Sequence, residues 1–198
     1  QIAYISYRNK IPNLFVMDIY GKNAKQLTFG EGENTVLWPS WSPLGDVIAY
    51  SYNKAGDEID FRLQIIKPDG TGQREILSSN DKDLGDMEPA WSPDGKTMYF
   101  ISNRSSHLEI WKLDYAKLAA NNFTNYDDIG LKQISNLHAV NTTPDHRPRV
   151  SPDGKKIVFY GVGSDWNNIG TNLYTLNIDG SNLTNITKST GANEWPDW

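Results

Sequence analysis

The sequence predicts an all-β chain built as a β-propeller of four-stranded blades, and three observations carry that prediction. A phrase recurs as Pro39-Ser-Trp-Ser-Pro-Leu-Gly-Asp46, Pro89-Ala-Trp-Ser-Pro-Asp-Gly-Lys96 and Pro148-Arg-Val-Ser-Pro-Asp-Gly-Lys155, with a shortened copy at Pro196-Asp-Trp198. Its prolines lie 50, 59 and 48 residues apart, a period that belongs to propellers, solenoids or arrays. Each full copy leads into short β-branched and aromatic runs separated by tight-turn residues, the signature of strands rather than helices. Finally, the two ends of the chain complement one another within this repeat.

Taken in order, the chain opens on Ile2–Ser6, continues through Leu14–Asp18 and Lys25–Thr28, and lacks a Pro-x-Trp strand ahead of them. The second repeat has Pro39–Trp41, Val47–Ser51, Asp60–Ile66 and Arg74–Leu77, with a turn at Asp69-Gly70. The third has Pro89–Trp91, Thr97–Ile101, Leu108–Leu113 and Lys132–Ser135. The fourth has Pro148–Val150, Lys156–Tyr160, Asn172–Ile178 and Asn185–Thr187, with a turn at Asp179-Gly180. Apolar residues alternate along the third strand of each unit, as one buried face requires. No helix is expected. Residues Glu194–Trp198 supply the missing first strand of the opening unit, so four blades closed by the C-terminal strand joining the N-terminal blade would leave no open edge. The chain is then a whole small ring, a fragment of a larger propeller, or a half-ring that dimerises, and it is expected to be a monomer or a homodimer forming one domain over residues 1–198.

The motifs W-S-P-D-G, a following I-A-F-like strand, a Y-V-M-D-like strand and a Q-L-T-like strand resemble the TolB-like, WD-repeat-like β-propeller family of the bacterial cell envelope. The resemblance covers nearly the whole chain. It implies a non-catalytic module that binds proteins in the periplasm or cell envelope. The family more often shows six or seven blades and a separate N-terminal domain, and neither is present in this sequence.

Composition narrows the partners. Net charge of −5 and a pI near 5.2 give no electrostatic reason to bind nucleic acid, which is held chiefly by Lys and Arg on phosphates. There is no cysteine, so no disulfide and no thiolate metal site. No apolar stretch is long enough to insert in a membrane, and no signal peptide is visible. His107, His138 and His146 match no metal spacing, and a Gly-x-Ser-x-Gly elbow is absent, so no catalytic residue, metal or cofactor is assigned. The pair Asp81 and Asp83 lacks a calcium loop's ligand spacing. The Asn-x-Ser/Thr positions Asn103, Asn122, Asn141, Asn182 and Asn185 fit turn-rich composition.

Trp41, Trp91 and Trp198, with Val150 in the remaining slot, read as apolar fillers between blades. Strand direction alternates, so one face carries the tight turns and one insertion around 116–128, while the longer loops that differ from repeat to repeat fall on the other: 29–37, 53–59, 78–87, 103–107, 136–146, 161–171 and 188–194. Binding residues concentrate on such loops. The residues ahead of each anchor proline should ring the mouth of a central channel on that face. They give the candidate binding set Trp38, Glu88, His146, Arg147, Glu194 and Trp195. Arg147 suits a peptide carboxylate, while Trp38 and Trp195 suit a stacked sugar. A protein or peptide partner is therefore expected, and an oligosaccharide bound or cleaved at the same mouth is the alternative, with Glu88 and Glu194 as the conceivable acid/base pair.

Overall fold

The computed structural model describes residues 1–8, 10–32, 34–53, 60–77, 84–120, 126–137, 143–162, 170–188 and 191–198. The side chains of residues 143–146, His146 among them, lie outside that description, as do His138, Asp81, Asp83, Asn122, Asn141 and large parts of the long loops. The chain divides into two compact units, residues 1–89 and 90–198.

In the first unit, β1 (Ile2–Ser6), β2 (Asn13–Met17) and β3 (Lys25–Gln26) form a three-stranded antiparallel sheet in chain order. A four-stranded sheet follows, with β4 (Thr35–Trp41), β5 (Ile48–Asn53), β6 (Phe61–Ile66) and β7 (Arg74–Glu75). The core lies between these two sheets. Leu14, Val16 and Leu27 meet Val36, Ile48, Tyr50 and Ile66, with Trp41 and Tyr52 packed at the edge. Leu14 and Val16, like Ile48 and Tyr50, are two apart, so one pleat of each sheet is apolar and faces the other.

The unit boundary falls inside β8 (Asp86–Trp91), which heads a sheet continued by β9 (Thr97–Ser102), β10 (Glu109–Asp114) and β11 (Lys132–Gln133). The last sheet is β12 (Thr143–Val150), β13 (Lys156–Val162), β14 (Thr171–Asn177) and β15 (Thr184–Asn185). Fully buried Met98, Phe100, Ile110, Leu113, Ile157 and Phe159 supply the second unit's core. Every sheet matches one predicted repeat, and the inner strands extend three to five residues upstream of the predicted Pro-x-Trp starts.

Three expectations are modified. A short helix, α1 (Tyr115–Ala119), leaves β10. Asp114 caps it by accepting from the Lys117 amide, and Tyr115 and Leu118 are buried beneath it, so the repeat tolerates a helical insertion where apolar residues can pack. The expected fourth strand of the opening sheet is not formed among the described residues: β1 pairs with β2 alone, and residues 194–198 join no ladder. Pro196 has no amide to donate, and the Trp198 indole donates to the Arg149 carbonyl at 2.9 Å. Trp198 is accordingly 49% exposed, whereas Trp91 is buried and meets Tyr115 edge-on at 4.7 Å.

The turns explain why the phrase recurs. The Gly45, Gly95 and Gly154 amides donate to the carbonyls of Ser42, Ser92 and Ser151, and each glycine sits at φ near 70°. The Ser92 and Ser151 hydroxyls donate to Asp94 and Asp153 at 2.6 Å. This bond, helped by the Lys96 and Lys155 amides, holds both carboxyls below the usual carboxylate range.

Candidate functional site

Each anchor proline is preceded by a residue in the left-handed region: Trp38 at φ 50°, Glu88 at 57°, Arg147 at 65° and Trp195 at 63°. None is glycine, and such a conformation is uncommon for bulky side chains, costing on the order of 1–3 kcal/mol apiece. The distortion is built into the strands. The ladder slips between Leu37 and Ser40 in β4 and between His146 and Arg149 in β12, so the proline, which cannot donate, sits in a bulge. Trp195 adopts the same conformation without a ladder. The turn is therefore a property of the repeat, and it re-aims whichever side chain stands there.

Within the second unit three of the predicted residues meet. The Arg147 guanidinium lies over the Trp195 ring at 3.4 Å from its centre. The Trp195 indole donates to Glu194 Oε2 at 3.2 Å, and the Thr171 hydroxyl reaches Glu194 Oε1 at 3.4 Å. Asn193 fixes the approach, its amide donating to Thr171 Oγ1 and its side chain to the Thr171 carbonyl, both at 3.0 Å. Trp195 remains 61% exposed. The backbone of His146 pairs with Tyr160 beside this cluster. A cation, an exposed aromatic and a carboxylate are thus held on one surface.

Within the first unit, Trp38 is half-buried and packs on Phe61 at 5.1 Å. Glu88 differs from its expected partly exposed setting. It is 2% exposed, and its backbone amide donates to the Ser51 hydroxyl on β5 at 2.9 Å, which draws it under the second blade.

A polar clamp joins the third and fourth segments of three repeats, and the strand pattern alone does not announce it. Asn13 accepts from Thr28, Glu109 from Ser135, and Asn172 from Thr187, while those same hydroxyls receive the amides of Leu14, Ile110 and Leu173. In the second blade Leu77 takes the hydroxyl's place and Arg62 pairs instead with Asp60 at 2.5 Å. The hydroxyl closing Gln26-Leu-Thr28, Gln133-Ile-Ser135 and Asn185-Ile-Thr187 is the signal for it in the sequence. Among the described residues no group of three or more His, Asp or Glu could hold a metal, and no helix is long and apolar enough to cross a membrane.

Antiparallel sheets of three or four strands repeated along the chain, with a left-handed residue ahead of each anchor proline, define a protein of the β-propeller class. The sequence matches the TolB beta propeller domain over residues 1–132, and the chain belongs to that family. It is 28% identical over 114 residues to a Protein TolB homolog of Chlorobium luteolum, covering 58% of this chain and 24% of that protein. It is 25% identical to the Tol-Pal system protein TolB of Francisella tularensis, covering 94% of this chain and 50% of that one. The chain thus spans half or less of the length of these curated relatives. Among solved structures it resembles a TolB from Agrobacterium tumefaciens, described as putative, with TM-score 0.69, 19% identity and coverage of 97% and 65%. It also resembles an oligogalacturonate lyase in complex with manganese, with TM-score 0.59, 20% identity and coverage of 88% and 42%.

Proposed function

We propose that this chain is a non-catalytic propeller module of the bacterial periplasm or cell envelope that binds a protein or peptide through its long-loop face. The observation that carries this reading is the Arg147, Trp195 and Glu194 cluster. Stacking on Trp195 fixes the guanidinium plane. A guanidinium held by its face directs its N–H fork along its edge, the geometry that meets a peptide carboxylate bidentately. Glu194 alongside offers an acceptor for peptide amides or a basic side chain, and the exposed indole offers apolar contact. Family membership supports the same reading, since a relative carries the name of a Tol-Pal system protein.

The test is a titration of peptides bearing free C-terminal carboxylates against their amidated counterparts. The Arg147→Ala/Trp195→Ala protein should bind the free-acid peptides at least tenfold more weakly, with a nearly unchanged melting temperature because Trp195 is surface-exposed. Equal binding by wild type and variant would remove the site. Turnover of an oligosaccharide that disappears in Glu194→Gln or His146→Ala would replace the reading with the carbohydrate-active alternative.

A further inference from the structure

A pocket of about 400 Å³ opens in the first unit between the segment after β3 and the strands β5 and β6, and its chemistry differs from that of the Arg147 cluster. Its polar lining includes Glu31, Asn34, Tyr52, Gln64 and Gln73, beside the exposed Phe29; no Lys or Arg is among the described lining residues. Among the described lining residues no cation is offered to an anionic ligand.

Two features show that the lining is prearranged. Gln64 Oε1 accepts from the Tyr50 hydroxyl at 2.8 Å and from Gln73 Nε2 at 3.0 Å. Burial pushes the Tyr50 hydroxyl far above the usual phenol range, so it stays a donor and fixes the Gln64 amide. The other ends of the two amides are then a donor, Gln64 Nε2, and an acceptor, Gln73 Oε1. Phe29 is the second feature. Both of its neighbours are anchored to Asn13 Oδ1, Thr28 through its hydroxyl at 3.1 Å and Gly30 through its amide at 2.9 Å, yet Phe29 itself is 76% exposed. An aromatic ring kept in water on a tethered segment does nothing for folding. The clamped positions that follow Ser135 and Thr187 carry Asn136 and Lys188 instead, so the clamp itself does not ask for an aromatic.

From the exposed ring beside a locked donor–acceptor amide pair, we propose that this pocket binds a neutral saccharide, one sugar ring lying on Phe29 and its hydroxyls reaching Gln64 and Gln73. Sugar C–H faces stack on aromatic rings, and vicinal hydroxyls match a fixed donor beside a fixed acceptor. A pocket of 400 Å³ is at the lower end of ligand-site sizes, enough for one or two sugar units.

The experiment is an NMR titration of the protein with maltose, cellobiose and N,N′-diacetylchitobiose, each taken to about 20 mM so that millimolar affinity is visible. At least one should shift the Phe29 and Gly30 backbone amides and the Gln64 and Gln73 side-chain amides. Phe29→Ala and Gln73→Ala should each weaken that binding at least tenfold at unchanged melting temperature, both residues being exposed. No shift with any of the three sugars overturns the proposal, as do shifts that persist in both variants, or an extended peptide that moves these signals when no sugar does. Neither Arg147 nor Trp195 takes part, so these results and the peptide titration fail independently.

Discussion

At single residues, the packing separates tryptophans that look alike in sequence. Trp91 is buried against Tyr115, and Trp91→Ala should cost about 3–5 kcal/mol in chemical denaturation, the usual loss on emptying a large aromatic site. Trp38→Ala should cost well under half as much, since its ring is half-buried and meets solvent. The left-handed backbone at residue 38 adds a sharper expectation: Trp38→Gly should be more stable than Trp38→Ala by about 1 kcal/mol, reversing the usual order in a strand. Gly180 is a second exacting position. It sits at φ 91°, and a Cβ there would lie 1.7 Å from the Ile134 carbonyl oxygen, a backbone atom with little freedom to give. Gly180→Ala should therefore destabilise by about 2–4 kcal/mol, read from the denaturation midpoint.

At the level of strands and turns, the serine-centred hairpin couples stability to acidity. Asp94 and Asp153 are held low chiefly by the Ser92 and Ser151 hydroxyls. A carboxyl whose folded value lies below its unfolded value, about 3.9, stabilises fully above that pH and loses its contribution as pH falls through the folded value. The melting temperature should thus fall below about pH 4, and less steeply in Asp94→Asn/Asp153→Asn. Most of this level is legible in the sequence. Alternating residues locate the strands, and Ser-Pro-Asp-Gly locates the hairpins. Helix α1 is not legible, because its two buried anchors, Tyr115 and Leu118, are too few to set a helical period. Glu88 reads as partly exposed because a carboxylate before a loop ordinarily meets water, and only the Ser51 contact from another strand reveals its burial. The repeat assigns Arg147 and Trp195 to one set from positions 48 residues apart, but their direct stacking is set by side-chain packing that the repeat does not encode.

For the molecule as a whole, the acidic balance gives the simplest expectation: the protein should pass unretained through a DNA column at about 50 mM salt, where phosphate contacts are strongest. The repeated entry turn has a further consequence for how such chains change length. Residues 38, 88, 147 and 195 carry the same backbone conformation whatever their side chains, and each is followed by proline. They are therefore interchangeable crossover points. A recombination joining residue 38 to Pro89 deletes one complete unit of 50 residues and leaves a left-handed residue ahead of a proline at the junction. The reverse exchange duplicates that unit just as cleanly, so unit number can drift through gene history while each surviving unit keeps its internal wiring.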